Sequence, residues 1–181
     1  MKPKRIVITG GPGTGKSTLI KQLEKSGHPC LHEVSREVIL QAREEGIEQL
    51  FLEKPLLFSE MLLAGRLKQF QESSQSKEDF IFYDRGLHDV LAYLHYFDTP
   101  FPKKMHQTCE NHTYDMVFIL PPWKEIYSTD NERYESFEEA IKIHSHLENT
   151  YKNYRYSPIE VPKLSVAQRL SFILEKVKNK L

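Results

Sequence analysis

The chain has 181 residues, a length that suits one domain, 1–181, with room for one sizeable core. Its 25 basic and 25 acidic residues balance, so composition points to neither nucleic acid nor an anionic membrane, and no apolar run approaches the roughly 20 residues of a membrane span. Two cysteines without CxxC spacing, Cys30 and Cys109, suggest no disulfide framework, and the chain reads as a protein of the reducing cytoplasm.

In chain order, residues 5–9 read as a short apolar strand. Gly10-Gly11-Pro12-Gly13-Thr14-Gly15-Lys16-Ser17 follows, the spacing of a phosphate-binding P-loop. Leu19, Ile20 and Leu23 then recur at helical spacing, so the motif has the strand–loop–helix context it needs. Glycines let the backbone turn tightly and bring its N–H groups onto phosphate oxygens, and the helix N-terminus adds a favourable dipole. The nucleotide-binding set is therefore Gly11, Pro12, Gly13, Thr14, Gly15, Lys16, Ser17 and Thr18, with Lys16 reaching the β and γ phosphates and Ser17 offering a hydroxyl to Mg²⁺.

After a turn at 26–29, residues 30–33 form a second strand and 34–45 a helix. A longer helix starts at Pro55 and runs to 71, and the polar stretch 71–78 reads as a solvated connection. Residues 80–83 and 116–120 are continuous apolar runs, suited to strands buried on both faces. A helix over 87–97 lies between them. The segment 123–135 is polar and irregular, followed by a helical stripe from Phe137 to Tyr154, a short strand at 159–161 and a terminal helix from Val166. Strand and helix alternate about five times, the pattern of a three-layer α/β fold around a mostly parallel five-stranded sheet. Ligands of such sheets gather at the carboxyl ends of the strands. The P-loop, Glu33, Asp84 and the segment after Pro121 all follow strand ends.

Three chemistries compete for this P-loop: small-molecule kinase, switch GTPase and motor-type ATPase. The chain carries neither a DxxG nor an Asn/Thr-Lys-x-Asp guanine-reading motif, which favours ATP with GTP as the alternative. Motor-type ATPases place a second acid after the strand aspartate, but here Asp84 is followed by Arg85, which cannot act as a base. Arg85 can hold developing phosphate charge. Asp84 reads as a Mg²⁺ ligand beside Ser17, or else as the cap of the next helix. Glu33 reads as the base toward an acceptor hydroxyl, or as an exposed acid. Arg36, one turn on, either grips an acceptor anion or pairs on the surface. A lid-like segment near 122–136 offers Arg133 as a catalytic clamp, with Lys124 in reserve, and its aromatics Trp123, Tyr127 and Tyr134 either stack on a ring or anchor the loop. His88 and Asp89 follow Asp84 closely and read as neighbours of the site, but the histidines form no zinc constellation.

The segments 8–18, 33–37 (Glu-Val-Ser-Arg-Glu), 82–86 (Phe-Tyr-Asp-Arg-Gly) and 132–134 (Glu-Arg-Tyr) together resemble the NadR-like AAA-type P-loop ATPases, related to ribosylnicotinamide kinase and to nucleoside and nucleotide kinases. The resemblance spans nearly the whole chain. It implies strand order 2-3-1-4-5, Mg²⁺-dependent ATP or GTP binding, and phosphoryl transfer with Glu33 as base and Asp84-Arg85 after the third strand. It supplies no acceptor, and the chain has no room for the adenylyltransferase domain of the NAD-linked relatives. The expectation is a kinase transferring the γ-phosphate to a nucleoside-like hydroxyl, with Glu33, Arg36 and Arg85 at the acceptor. The alternative is a nucleotide-dependent regulatory module with slow hydrolysis and a protein or lipid partner.

Overall fold

A computed structural model of the chain describes residues 2–44, 46–47, 50–127 and 135–180. Five strands, β1 (Lys4–Gly10), β2 (Cys30–Leu31), β3 (Phe80–Asp84), β4 (Met116–Leu120) and β5 (Ile159–Glu160), form one sheet in the order β2-β3-β1-β4-β5. All four pairings are parallel, so every connection must cross over, and helices make the crossings. The order matches the one implied by the resemblance.

The three central strands, β1, β3 and β4, are buried on both faces because each carries a continuous apolar run, and alternate residues feed two cores. Ile6, Ile8, Phe82, Met116 and Phe118 face α1 (Lys16–Lys25) and α8 (Val166–Lys180), where Leu19, Leu23, Ile173 and Val177 cover them. Val7, Ile81, Tyr83 and Val117 face the other layer. That layer holds α2 (Ser35–Glu44), α3 (Leu50–Glu53), α4 (Pro55–Glu72), α5 (Leu87–Tyr96), α6 (Lys103–Asn111) and α7 (Phe137–Asn153).

Several elements depart from expectation. The stretch 71–78 is not simply a solvated connection: α4 extends to Glu72 and a 3-10 turn follows at Ser73–Gln75. Ser73 is buried and shares a 2.5 Å hydrogen bond with the Tyr83 hydroxyl, while Ser74 accepts from Arg5. Serines there satisfy polar atoms that β1 and β3 bring to the sheet's lower end. The short helices α3 and α6 were not expected, and β2 stops at Leu31, two residues before Glu33.

Register matters most for function. Ile8 pairs with both Asp84 and Phe118, and Gly10 pairs with Leu120. The P-loop and Asp84 therefore leave the sheet at nearly the same level, on its carboxyl edge.

Candidate active site

The phosphate loop is built as its glycines predict. Gly13 and Gly15 have φ of 71° and 78°, in the left-handed region that side chains avoid, and Gly15 opens α1. The Thr14 hydroxyl donates to the Gly11 carbonyl at 3.0 Å, and Arg169 of α8 donates to the Thr14 carbonyl at 3.2 Å. Both bonds engage carbonyl oxygens, the groups that would repel a phosphate. Residues 11–18 all line one cleft of about 480 Å³.

Lys16, at the start of α1, is ion-paired with Asp84, at the end of β3, and both are buried. Burial pushes the Lys16 amine below its usual range, Arg85 adds to that, and Asp84 opposes it. Asp84 does not cap the following helix. The α5 cap is Gly86, with Asp89 completing a capping box through a 2.9 Å bond from the Gly86 N–H.

Glu33 lies across the cleft from the phosphate loop. Its carboxylate accepts from Arg66 Nη2 at 2.8 and 3.1 Å, and from Arg85 Nε at 2.9 Å. It also accepts from the backbone N–H groups of Val34 and Ser35, which opens α2. Burial works to raise its pKa, but the two guanidiniums outweigh burial and hold it down at about 2. Glu33 is thus firmly ionised at neutral pH and a weak proton acceptor.

Arg85 itself stands in a left-handed backbone conformation, φ 72°. Its guanidinium bridges Glu33 and Asp89 (Nη1 to Oδ1, 3.3 Å) and lies 5.5 Å from the centre of the Tyr93 ring.

The structure thus gathers the phosphate loop, Lys16, Asp84, Glu33 and Arg85 around one cleft. It does not bring Arg36 there. Arg36 sits on the exposed side of α2, and Ser35 lines the cleft instead. The reason is helical phase, since the face that turns inward carries Val38 and Ala42. Arg133 and Tyr134 lie outside the described residues. Lys124 is exposed. Trp123 and Tyr127 serve as anchors: Arg169 lies 5.6 Å over the Trp123 ring, while Tyr127 packs on Gly13 and Phe137 and donates to the Glu135 carbonyl.

Two site residues, Arg66 and Arg169, escape a reading of the sequence, whereas Asp89 lines the cleft as its closeness to Asp84 suggested. Arg66 had one signal, a cation among Leu62, Leu63 and Phe70 on the buried stripe of α4, where a charge needs a carboxylate partner. Arg169 had none. His88 is near the site in sequence only. It is a fully buried residue in the first turn of α5, enclosed by Tyr114, Tyr151, Tyr154 and Tyr156.

Beyond Glu33 the cleft becomes apolar, lined by Phe58, Leu62, Val90, Tyr93, Leu94 and Phe97. Among its described lining residues the cations are Lys16, Arg66 and Arg85, each already paired with a carboxylate.

No curated protein matches the sequence. Among solved structures, deoxyadenosine kinase from M. mycoides with the products dCMP and dCDP superposes with a TM-score of 0.70 at 18% identity, covering 97% of this chain and 99% of that one. The same enzyme with bound dATP gives 0.68 at 19%, covering 96% and 99%. NadR in complex with NR gives 0.75 at 17%, covering 98% of this chain and 50% of that one, so the chain spans half of NadR's length. At these identities the likeness establishes the fold, that of the P-loop nucleoside kinases. Residues 5–169 match the AAA domain family AAA_28, and with nine-tenths of its length inside that match the chain belongs to this family of P-loop proteins.

Proposed function

We propose that the chain is a Mg²⁺- and ATP-dependent kinase that transfers the γ-phosphate to the hydroxyl of an uncharged, nucleoside-like acceptor. One observation carries this reading: a single cleft is lined by the phosphate loop, by the Arg66–Glu33–Arg85 cluster and by aromatic and aliphatic side chains. A ring-bearing acceptor suits that pocket. A phosphorylated acceptor suits it less, because both arginines are already engaged by carboxylates. The nucleoside and nucleotide ligands of the similarly folded kinases support the same class.

In this reading the loop amides and Lys16 hold the triphosphate. Lys16 exchanges its contact with Asp84 for phosphate oxygens, which frees the carboxylate. The hydroxyl of Ser17 and the carboxylate of Asp84 are the hard oxygen donors that Mg²⁺ favours, and a bound Mg²⁺ would neutralise charge on the phosphates. Glu33 accepts a hydrogen bond from the acceptor hydroxyl and orients it. With a pKa of about 2, orientation fits it better than proton abstraction. Phosphoryl transfer through a loose transition state demands positioning more than a strong base. Arg85 steadies charge on the transferring group. Arg133 is the proposed lid clamp.

The test is ADP formation from Mg²⁺-ATP, alone and with a pooled nucleoside and metabolite panel, with Lys16→Ala as the blank. The expected result is acceptor-stimulated ADP release that the variant abolishes. Nucleotide binding with slow, acceptor-independent turnover would overturn the kinase reading in favour of a regulatory module.

A further inference from the structure

We propose that Asp89 is a positioning residue, whose buried carboxylate holds Arg85 in its left-handed turn and aims the guanidinium at Glu33, with Tyr151 completing the clamp. The proposal rests on the kinase reading of the cleft.

Asp89 is wholly buried, yet it accepts from four donors on three elements. Thr9 of β1 and Tyr151 of α7 give their hydroxyls, the latter at 2.5 Å to Oδ2. The Gly86 N–H and Arg85 Nη1 give the other two, at 2.9 and 3.3 Å. Capping α5 requires only the bond from Gly86, and an exposed acid supplies it at many helix starts. The remaining three donors serve something else. A carboxylate taken out of water is tolerated only when its lone pairs are met, and these donors meet them.

What they fix is the turn between β3 and α5. Arg85 has φ 72°, a conformation that a residue with a Cβ sustains only when its surroundings dictate it. Its own N–H is held by the Ile8 carbonyl at 3.1 Å, and the next N–H by Asp89. From that backbone the side chain spans two carboxylates, Nε to Glu33 and Nη1 to Asp89. Without Asp89, the one carboxylate bonded to the guanidinium among the described residues would be Glu33, which Arg66 already grips, and the Tyr93 ring offers a face but no fixed hydrogen bond. The same carboxylate holds Thr9, the residue before the phosphate loop, so one group ties the acceptor arginine to the nucleotide end.

Two variants of the full chain test this: Asp89→Asn and Tyr151→Phe. The first readout is the Glu33 side-chain carboxyl, followed by ¹³C NMR from neutral pH to about 4, where the wild-type group stays ionised. Charge and geometry predict opposite signs. Removing a negative charge beside Arg85 in a fixed geometry leaves that cation more effective, so Glu33 titrates still lower. If Asp89 positions Arg85, the guanidinium swings away and Glu33 titrates upward, into the measured window.

The second readout is acceptor-stimulated ADP formation. The expected result for Asp89→Asn is a kcat about tenfold lower or more, with acceptor KM and nucleotide Kd each within about threefold. Tyr151→Phe keeps the charge, removes one hydroxyl, and gives smaller changes in the same directions. An unshifted or lowered Glu33 titration together with a kcat within about twofold of wild type overturns the proposal. If Asp89→Asn does not fold, Tyr151→Phe decides on the same criteria. Should wild type show no acceptor turnover, the kinase reading fails, and the Glu33 titration still decides the positioning role.

Discussion

At the residue scale the site is governed by which charges are paired. Glu33 sits between two buried guanidiniums, and Gln at this position keeps the shape but removes the carboxylate partner of Arg66 and leaves Arg85 with Asp89 alone. Glu33→Gln is therefore expected to lower acceptor-stimulated turnover by about 10²-fold or more, while Mg²⁺-ATP affinity stays within about threefold. Steady-state rates and nucleotide titrations on the same preparation check both halves. Because Arg66 and Arg85 hold the wild-type carboxyl near 2, its protonation also contributes no acid limb to the pH–rate profile between about 5 and 8. Lys16→Ala removes the cation proposed to meet the phosphates and strips Asp84 of its partner. The stabilisation that saturating Mg²⁺-ATP confers on wild type should vanish in this variant, as read by thermal unfolding with and without nucleotide.

At the element scale, the turn from β3 into α5 is a tight joint of the site. An added Cβ on Gly86 would lie 2.6 Å from the Tyr151 hydroxyl and 3.1 Å from both Tyr114 and Val7. Gly86→Ala must push α5 away from α7, the pair of helices flanking the site, and is expected to destabilise by about 1–3 kcal/mol. Tyr151→Phe deletes the nearest obstructing atom, so the double variant should be less destabilised than the sum of the two single changes. Denaturant unfolding of all four proteins measures that coupling, and strict additivity would refute the steric account. The same scale explains the helices that sequence patterns miss. The buried residues of α6 are Met105 and Cys109 alone, a single apolar pair in an otherwise polar segment, and α3 is a single turn. Neither offers the repeated stripe that marks α4 or α7.

At the scale of the whole molecule, acid stability follows from groups buried on folding. His88 is enclosed by four tyrosine rings behind the sheet, and its two ring nitrogens are buried without a hydrogen-bond partner among the described residues. Burial lowers its pKa from 6.5 to about 4, with Asp89 opposing. The unfolded chain thus binds a proton that the folded chain refuses between those values. Stability is fully present above about 6.5 and falls as pH drops toward 4, by on the order of 3 kcal/mol. Glu33 adds a second loss at lower pH, from its ordinary 4.5 down through about 2, because its folded pKa is also depressed. Denaturant midpoints measured at pH 7.5, 6, 5 and 4 should decline, and His88→Gln should flatten the upper part of that decline. An unchanged slope in the variant would assign the loss elsewhere.

The phosphate loop, the apolar strands and the helical stripes of α1, α4, α5 and α7 are local patterns, set by glycine dihedrals and by periods of 2 and 3.6 residues, so the α/β class and the phosphate loop of the cleft are legible along the chain. The parallel character of the sheet and the strand-end placement of Asp84 followed from the same patterns, and the strand order from the resemblance. Only the tertiary structure decided which cation meets Glu33. Arg66 reaches it from 33 residues away on another helix, whereas Arg36, three residues from it, faces outward. It likewise decided that Asp89 joins β1, α5 and α7, and that α8 sends Arg169 to the phosphate loop. Such pairings depend on how whole helices pack across the sheet. Spacing along the chain fixes the face of a residue on its own element, but not the partner that packing brings to it.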